Sequence, residues 1–228
     1  MRHVPVLALD IEGFTAPARS HTHRRVILTR AEALLVETAR FFIPYGNPLQ
    51  ILGYQSTGDG WYLLFEHFSC QIALKYALDL TAALTARNRD EPDASLRIRM
   101  RQVLAMGDVE QVGSQLLADV FSEAARFLDH PPFKGYLQSA TEDAVVVLAA
   151  LFYSEWQRSP ERTAPALAIT APPFTPFQFA DKHGGTHHGF AVGKGWVEAV
   201  MAMFPGWRGA DLRGDHVSPK GCPLSTRP

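Results

Sequence analysis

Residues 6–15, VLALDIEGFT, run from an unbroken apolar stretch into Asp10 and Glu12. The pattern predicts a strand buried on both faces, where a lone charge is costly unless it finds a partner. From Thr22 to Phe42, the residues Ile27, Ala31, Leu34, Leu35, Thr38, Phe41 and Phe42 recur three and four apart. That spacing predicts an amphipathic helix, stopped by Pro44, Gly46 and Pro48. LQILGY and GWYLLFE then flank QSTGDG, whose Gly58 and Gly60 suit a hairpin turn. A second helix is expected over 69–86, a polar break over RNRDEPDAS, and a strand over LRIRMRQVLAMG. SQLLADVFSEAARFLDH reads as a third helix closed by Pro131 and Pro132. DAVVVLA predicts a strand, LFYSEWQR a helix, and FQFAD with HHGFAV a strand pair.

Helices separated by single strands and hairpins predict an α+β, ferredoxin-like domain: an antiparallel-rich sheet with helices on one face. We assign residues 1–192 to that domain and 193–228 to a C-terminal helix and loose tail. The 228 residues carry a net charge of −1, with 46% hydrophobic and 20% charged, which suits one large core and leaves no basic footprint for nucleic acid. Arg24 and Arg25 read as solvated helix surface. With no long uncharged apolar run and no basic-then-apolar N-terminal layout, a cytoplasmic protein without a membrane partner is expected. Cys70 and Cys222, the only cysteines, offer neither a disulfide framework nor a cysteine zinc site.

The hairpin would bring Asp59 beside Asp10. Two carboxylates at neighbouring strand ends, next to Gly-rich backbone, suit a hard divalent cation that recruits phosphate oxygens. Two blander readings stand beside this one: Asp59 as a simple turn residue and Asp10 as an N-cap.

In combination, the motifs resemble those of the class III nucleotidyl cyclase family. LALDIEGFT is similar to its first metal-site strand and STGDGWYLLF to its second metal-site hairpin. RMRQVLAMGDV is similar to the strand whose arginine meets the triphosphate, and LADVFSEAARF to the helix whose arginine stabilises the transition state. ADKHGGTHHGFAV resembles the hairpin that supplies a lysine to the phosphates.

The resemblance implies that Asp10, Asp59 and the carbonyl of Ile11 hold two Mg²⁺ or Mn²⁺ ions. It further implies that amides of Gly13, Phe14 and Thr15, at a helix N-terminus, cradle phosphate oxygens. Arg101 would bind the triphosphate, while Arg126 and Lys182 would neutralise charge as pyrophosphate leaves. In the family the two halves of a site come from opposite protomers, so a homodimer with composite sites is expected. Alternatives stay open: Arg101 as an exposed strand residue alternating with Arg97 and Arg99, and Arg126 paired with Glu123 or Asp129. His183, His187 and His188 are expected to face solvent, and Glu12 to be an exposed turn residue.

Departures from the family pattern concern the base. Gln55, with Tyr54 beside it, stands where purine-using members carry lysine, and Ser122 replaces their ribose-positioning asparagine. The segment DVEQVGSQLLA is short and lacks their polar base-reading motif. A bulky Tyr54 without purine-pairing groups favours a smaller base. The set resembles the Pycsar pyrimidine cyclases of bacterial antiphage defence, which implies UTP, or else CTP, as substrate. A conventional adenylate or guanylate cyclase and a catalytically inactive nucleotide-binding relative are the rivals.

Overall fold

The computed structural model describes residues 2–40, 51–65, 70–113, 115–131, 133–134, 137, 142–159, 174–181 and 183–192. Phe41, Phe42, the IPYGNP stop, Lys182 and the expected 193–228 tail lie outside the described residues.

The expected buried strand is β1 (Arg2–Ile11). It is followed by α1 (His21–Arg40), β2 (Ile51–Ser56), β3 (Gly60–Phe65), α2 (Cys70–Arg89) and β4 (Met100–Val112). Then come β5 (Gln115–Leu117), α3 (Asp119–Asp129), β6 (Ala144–Ala149), α4 (Ala150–Arg158), β7 (Phe174–Ala180) and β8 (Thr186–Val192). The main sheet runs β2-β3-β1-β4-β6-β8-β7, with β5 paired to β4 alone. Only β4 and β6 pair in parallel; the other pairings are antiparallel.

Alternation along β1 builds two cores. Leu7, Leu9 and Ile11 pack with Ile27 of α1, Leu74 of α2 and Trp156 of α4. Val4, Val6 and Ala8 face the other way, onto Val120, Ala124 and Phe127 of α3. Helices therefore cover both faces of the sheet, which corrects the expectation of one covered face. A strand apolar on both sides needs two layers of cover.

Three element boundaries also change, the first being that the strand expected from Leu96 begins only at Met100 and runs on to Val112. QLL is not the start of the third helix, because Gly113 adopts φ 62 and Gln115–Leu117 pairs with Glu110–Val112. The positive φ suits glycine, and a hairpin wins over the helical reading of two leucines. The second helix outlasts its expected end by three residues. Its buried Asn88 exchanges hydrogen bonds with the backbone of Ile98, 2.6 Å to the carbonyl and 3.0 Å from the amide, replacing a strand partner there. Among the described residues, no helix is long and apolar enough to cross a membrane.

Candidate active site

Asp10, half-buried one residue before the end of β1, faces the α3 layer, opposite Gly60 on one side and Arg101 on the other. The β2–β3 turn is tied to β1 by the main chain, because the Ile11 amide donates to the Asp59 carbonyl at 3.0 Å. Gly60 makes this approach possible. A Cβ there would sit 2.1 Å from the Leu9 carbonyl oxygen. Gly58, at φ 103, closes the turn.

The partner that Asp10 requires is Arg101, with which it forms a largely buried ion pair. Arg101 is therefore not an exposed strand residue; its other terminal nitrogen donates to the Leu128 carbonyl at 2.9 Å. Burial pushes the Asp10 carboxyl above the usual range, Arg101 opposes that shift, and the nearby negative charge of Asp59 adds to it. Two crowded carboxylates beside one arginine form an oxygen donor set short of positive charge, and with the Ile11 carbonyl they fit a hard divalent cation.

Gly13, Phe14 and Thr15 follow in a turn, not at a helix N-terminus, since α1 begins only at His21. Gly13 (φ 63) bends the chain, and the Phe14 amide returns to the Ile11 carbonyl at 3.4 Å. Among the described residues, the amides of Gly13 and Thr15 make no hydrogen bond. This turn is clamped by Arg19, which the sequence reading missed: it donates to the Glu12 carbonyl at 3.1 Å and the Arg97 carbonyl at 2.9 Å. Glu12 is partly buried rather than exposed, with Arg99 at 3.6 Å.

Tyr54 and Gln55 point to opposite faces of the sheet. Gln55 is level with Tyr62 and Ala8, on the Asp10 side, and its Oε1 is buried without a hydrogen-bond partner. Tyr54 is level with Leu63 and Leu7, and its hydroxyl donates to Glu32 of α1 at 3.1 Å. Strand alternation thus removes Tyr54 from the Asp10 face and with it the steric case against a purine.

Ser122 and Arg126, four apart, are both exposed on α3. Arg126 pairs with neither Asp129 nor Glu123 at contact distance; it reaches Asp181 in the β7–β8 turn, 3.4 Å away. His187 is not solvent-facing, because it bonds Asp181 at 3.0 Å and stacks on Phe179. Arg126, Glu123 and His187 line an open groove of about 820 Å³ that also includes His3, Asp108 and Val120. Burial pushes the Glu123 carboxyl up, while His187 and Arg126 pull against it.

Asp181 and His187 of this second group lie at the other end of the sheet from Asp10, whereas Arg126 belongs to the last turn of α3, whose Leu128 carbonyl accepts from Arg101. Arg101 is level with Val145, and Ala149 with Gly189, so the β7–β8 turn closes at the end of the sheet away from Asp10. From Asp10 to the β7–β8 turn the offset is about seven residues, roughly 23 Å along the strands, and three strands, roughly 14 Å across.

No protein-family model and no curated protein sequence matches the chain. Among solved structures, it is similar to an adenylate/guanylate cyclase/hydrolase from Silicibacter pomeroyi, with a TM-score of 0.57, 20% identity, and coverage of 84% of this chain and 96% of that one. A bacterial light-regulated adenylyl cyclase gives 0.54 at 11% identity, with 88% and 97% covered. The guanylate cyclase domain of RhGC from Catenaria anguillulae, in complex with GTP, gives 0.52 at 15%, with 84% and 96% covered. The chain has the fold of a class III cyclase catalytic domain. On that fold, Asp10, Asp59, Arg101 and the 13–15 turn come together at the end of β1, Ser122 is exposed on α3, Arg126 is paired with Asp181, Tyr54 faces the other layer, and Lys182 lies outside the described residues.

Proposed function

We propose that this protein cyclises a nucleoside triphosphate, UTP in preference, to the 3′,5′-cyclic nucleotide and pyrophosphate, in sites shared by two copies of the chain. The observation that supports the reading is the pairing of Arg126 with Asp181 in the β7–β8 turn, while Asp10, Asp59 and Arg101 gather at the end of β1. Held at Asp181, Arg126 is directed away from its own carboxylates and is available to those of a second copy.

In the reaction, the ribose 3′-oxygen bonds to the α-phosphorus as its proton leaves, and the bridging oxygen between α- and β-phosphorus departs with pyrophosphate. Asp10, Asp59 and the Ile11 carbonyl would hold Mg²⁺ or Mn²⁺, which supplies acidification of the hydroxyl and charge for the triphosphate. The Gly13 and Thr15 amides take phosphate oxygens, and Arg101 turns from Asp10 to the triphosphate. The second copy's Arg126 neutralises charge on the departing pyrophosphate, work for which one fixed donor typically contributes about 2.7 to 4 kcal/mol. Ser122, one turn earlier on α3, borders the ribose.

Gln55, whose buried Oε1 has no partner among the described residues, supplies an amide that by flipping suits either pyrimidine, and the choice of uracil over cytosine follows the resemblance to uridylate cyclases of the Pycsar group. The amide's Oε1 suits the uracil N3–H, while its NH₂ donates to O4. On the Pycsar resemblance, we take the product to be an antiphage second messenger made in the cytoplasm. Incubation of the purified protein with each of the four triphosphates and Mn²⁺, with product identification by mass, tests the reading. Cyclic UMP is expected. Cyclic CMP, AMP or GMP as the main product would overturn the base preference alone, and no cyclic product would overturn the activity.

A further inference from the structure

Resting on the cyclase reading above, we propose that Asp181, braced by His187, is the positioning residue that aims Arg126 at the nucleotide held by a second copy of the chain.

Arg126 is 45% exposed, and an arginine so placed would sample many rotamers. An ion pair at that exposure contributes little to stability, so folding alone gives no reason for the contact. Asp181 is the opposite kind of group. Its carboxylate is only 10% exposed and has its own fixed partners. Oδ1 accepts from the His183 and Gly185 amides at 2.8 and 2.9 Å, and Oδ2 is 3.0 Å from His187 Nε2. Gly184, at φ 82, folds the turn around it. The His187 bond, helped by the Gly185 and His183 amides, holds the Asp181 carboxyl well below the usual range, so it is a permanent anion.

The brace is itself docked onto α3. The His187 ring stacks on Phe179 with centroids 5.0 Å apart and meets Phe127, the neighbour of Arg126, edge-on at 6.0 Å. Phe127 also packs edge-on against Phe177 and Phe179. The hairpin and the helix thus move as one unit, with the anion placed where it directs the guanidinium into the groove. With three partners besides Arg126, Asp181 keeps its position when the arginine turns to phosphate. The release costs little.

The test uses the full chain and steady-state kinetics with the triphosphate it cyclises. Asp181→Asn is expected to lower kcat on the order of 10²-fold, the scale of a misplaced catalytic group, with KM changed less than about twofold. Combined with Arg126→Ala, it should add no further loss, because the two residues act as one unit. In ¹⁵N spectra the Arg126 Nε–H signal should shift in Asp181→Asn, a readout independent of turnover. If Asp181→Asn does not fold, Asp181→Glu, which keeps the charge but moves it by one methylene, should show the kcat loss with unchanged melting. An active wild type with kcat unaffected in these variants, or losses that multiply with Arg126→Ala, would overturn this inference alone. A wild type that forms no cyclic nucleotide would overturn the cyclase reading and this inference with it.

Discussion

Asp10 and Arg101 stand directly opposite each other on β1 and β4, 91 residues apart in sequence, and close an ion pair beneath the last turn of α3. Removal of one partner leaves the other buried and uncompensated, which typically costs about 3 to 5 kcal/mol. Arg101→Met should therefore destabilise the protein by that order in urea unfolding at about pH 8. Burial already raises the Asp10 carboxyl, and loss of Arg101 raises it further. A folded-state value above the unfolded one means that the folded chain holds the proton more tightly, so stability falls as pH rises through the folded value. The deficit of Arg101→Met should shrink at about pH 5, and a pH-independent deficit would count against the assignment.

A site shared between two copies implies separable defects. Asp59→Ala should be inactive as a homodimer and Arg126→Ala slowed about 10²- to 10³-fold, yet mixing them under conditions of subunit exchange should restore activity. Half of the dimers formed from equal amounts are hybrids with one intact site of two, so roughly a quarter of wild-type activity is expected. A coupled pyrophosphate assay on the mixture reads this directly, and complete absence of rescue would exclude the shared site.

Two glycines of the β2–β3 hairpin should respond differently to one methyl group. In Gly60→Ala the Cβ meets the Leu9 carbonyl oxygen at 2.1 Å, a backbone atom that yields only if β1 and the Asp59 turn separate. A loss of about 1 to 3 kcal/mol is expected, together with loss of Mn²⁺-induced stabilisation in thermal melts. In Gly53→Ala the obstacle is the Leu116 Cδ1 at 2.7 Å, the end of a flexible side chain. Its cost should stay below about 1 kcal/mol, with the Mn²⁺ response retained.

Local signals in the sequence carried well where one rule dominated. The five buried positions of α1, Ile27, Ala31, Leu34, Leu35 and Thr38, were all legible from their spacing. So was the approach of the Asp59 turn to Asp10, because a glycine-bounded hairpin next to an apolar strand has few places to go. The losses came where a second layer decided the outcome. Leu116 and Leu117 looked helical until the Gly113 turn set them against β4. Tyr54 and Gln55 are neighbours in sequence, and only the register of β2 against β3 assigns them to opposite faces. The tie between Arg126 and Asp181 spans 55 positions and depends on aromatic docking of the β7–β8 hairpin, for which no short-range pattern exists.

The pairing of β1 with β4 also has a consequence for the order in which the Asp10 corner can close during synthesis. A nascent chain that has emerged only through α2 can close the β1–β3 contact and bring two carboxylates together, but their counter-charge is still to be translated. Mutual repulsion then works against early closure, and the arrival of Arg101 with β4 relieves it. Firm closure of the carboxylate pair is thereby tied to the arrival of β4, close to the midpoint of the 228 residues.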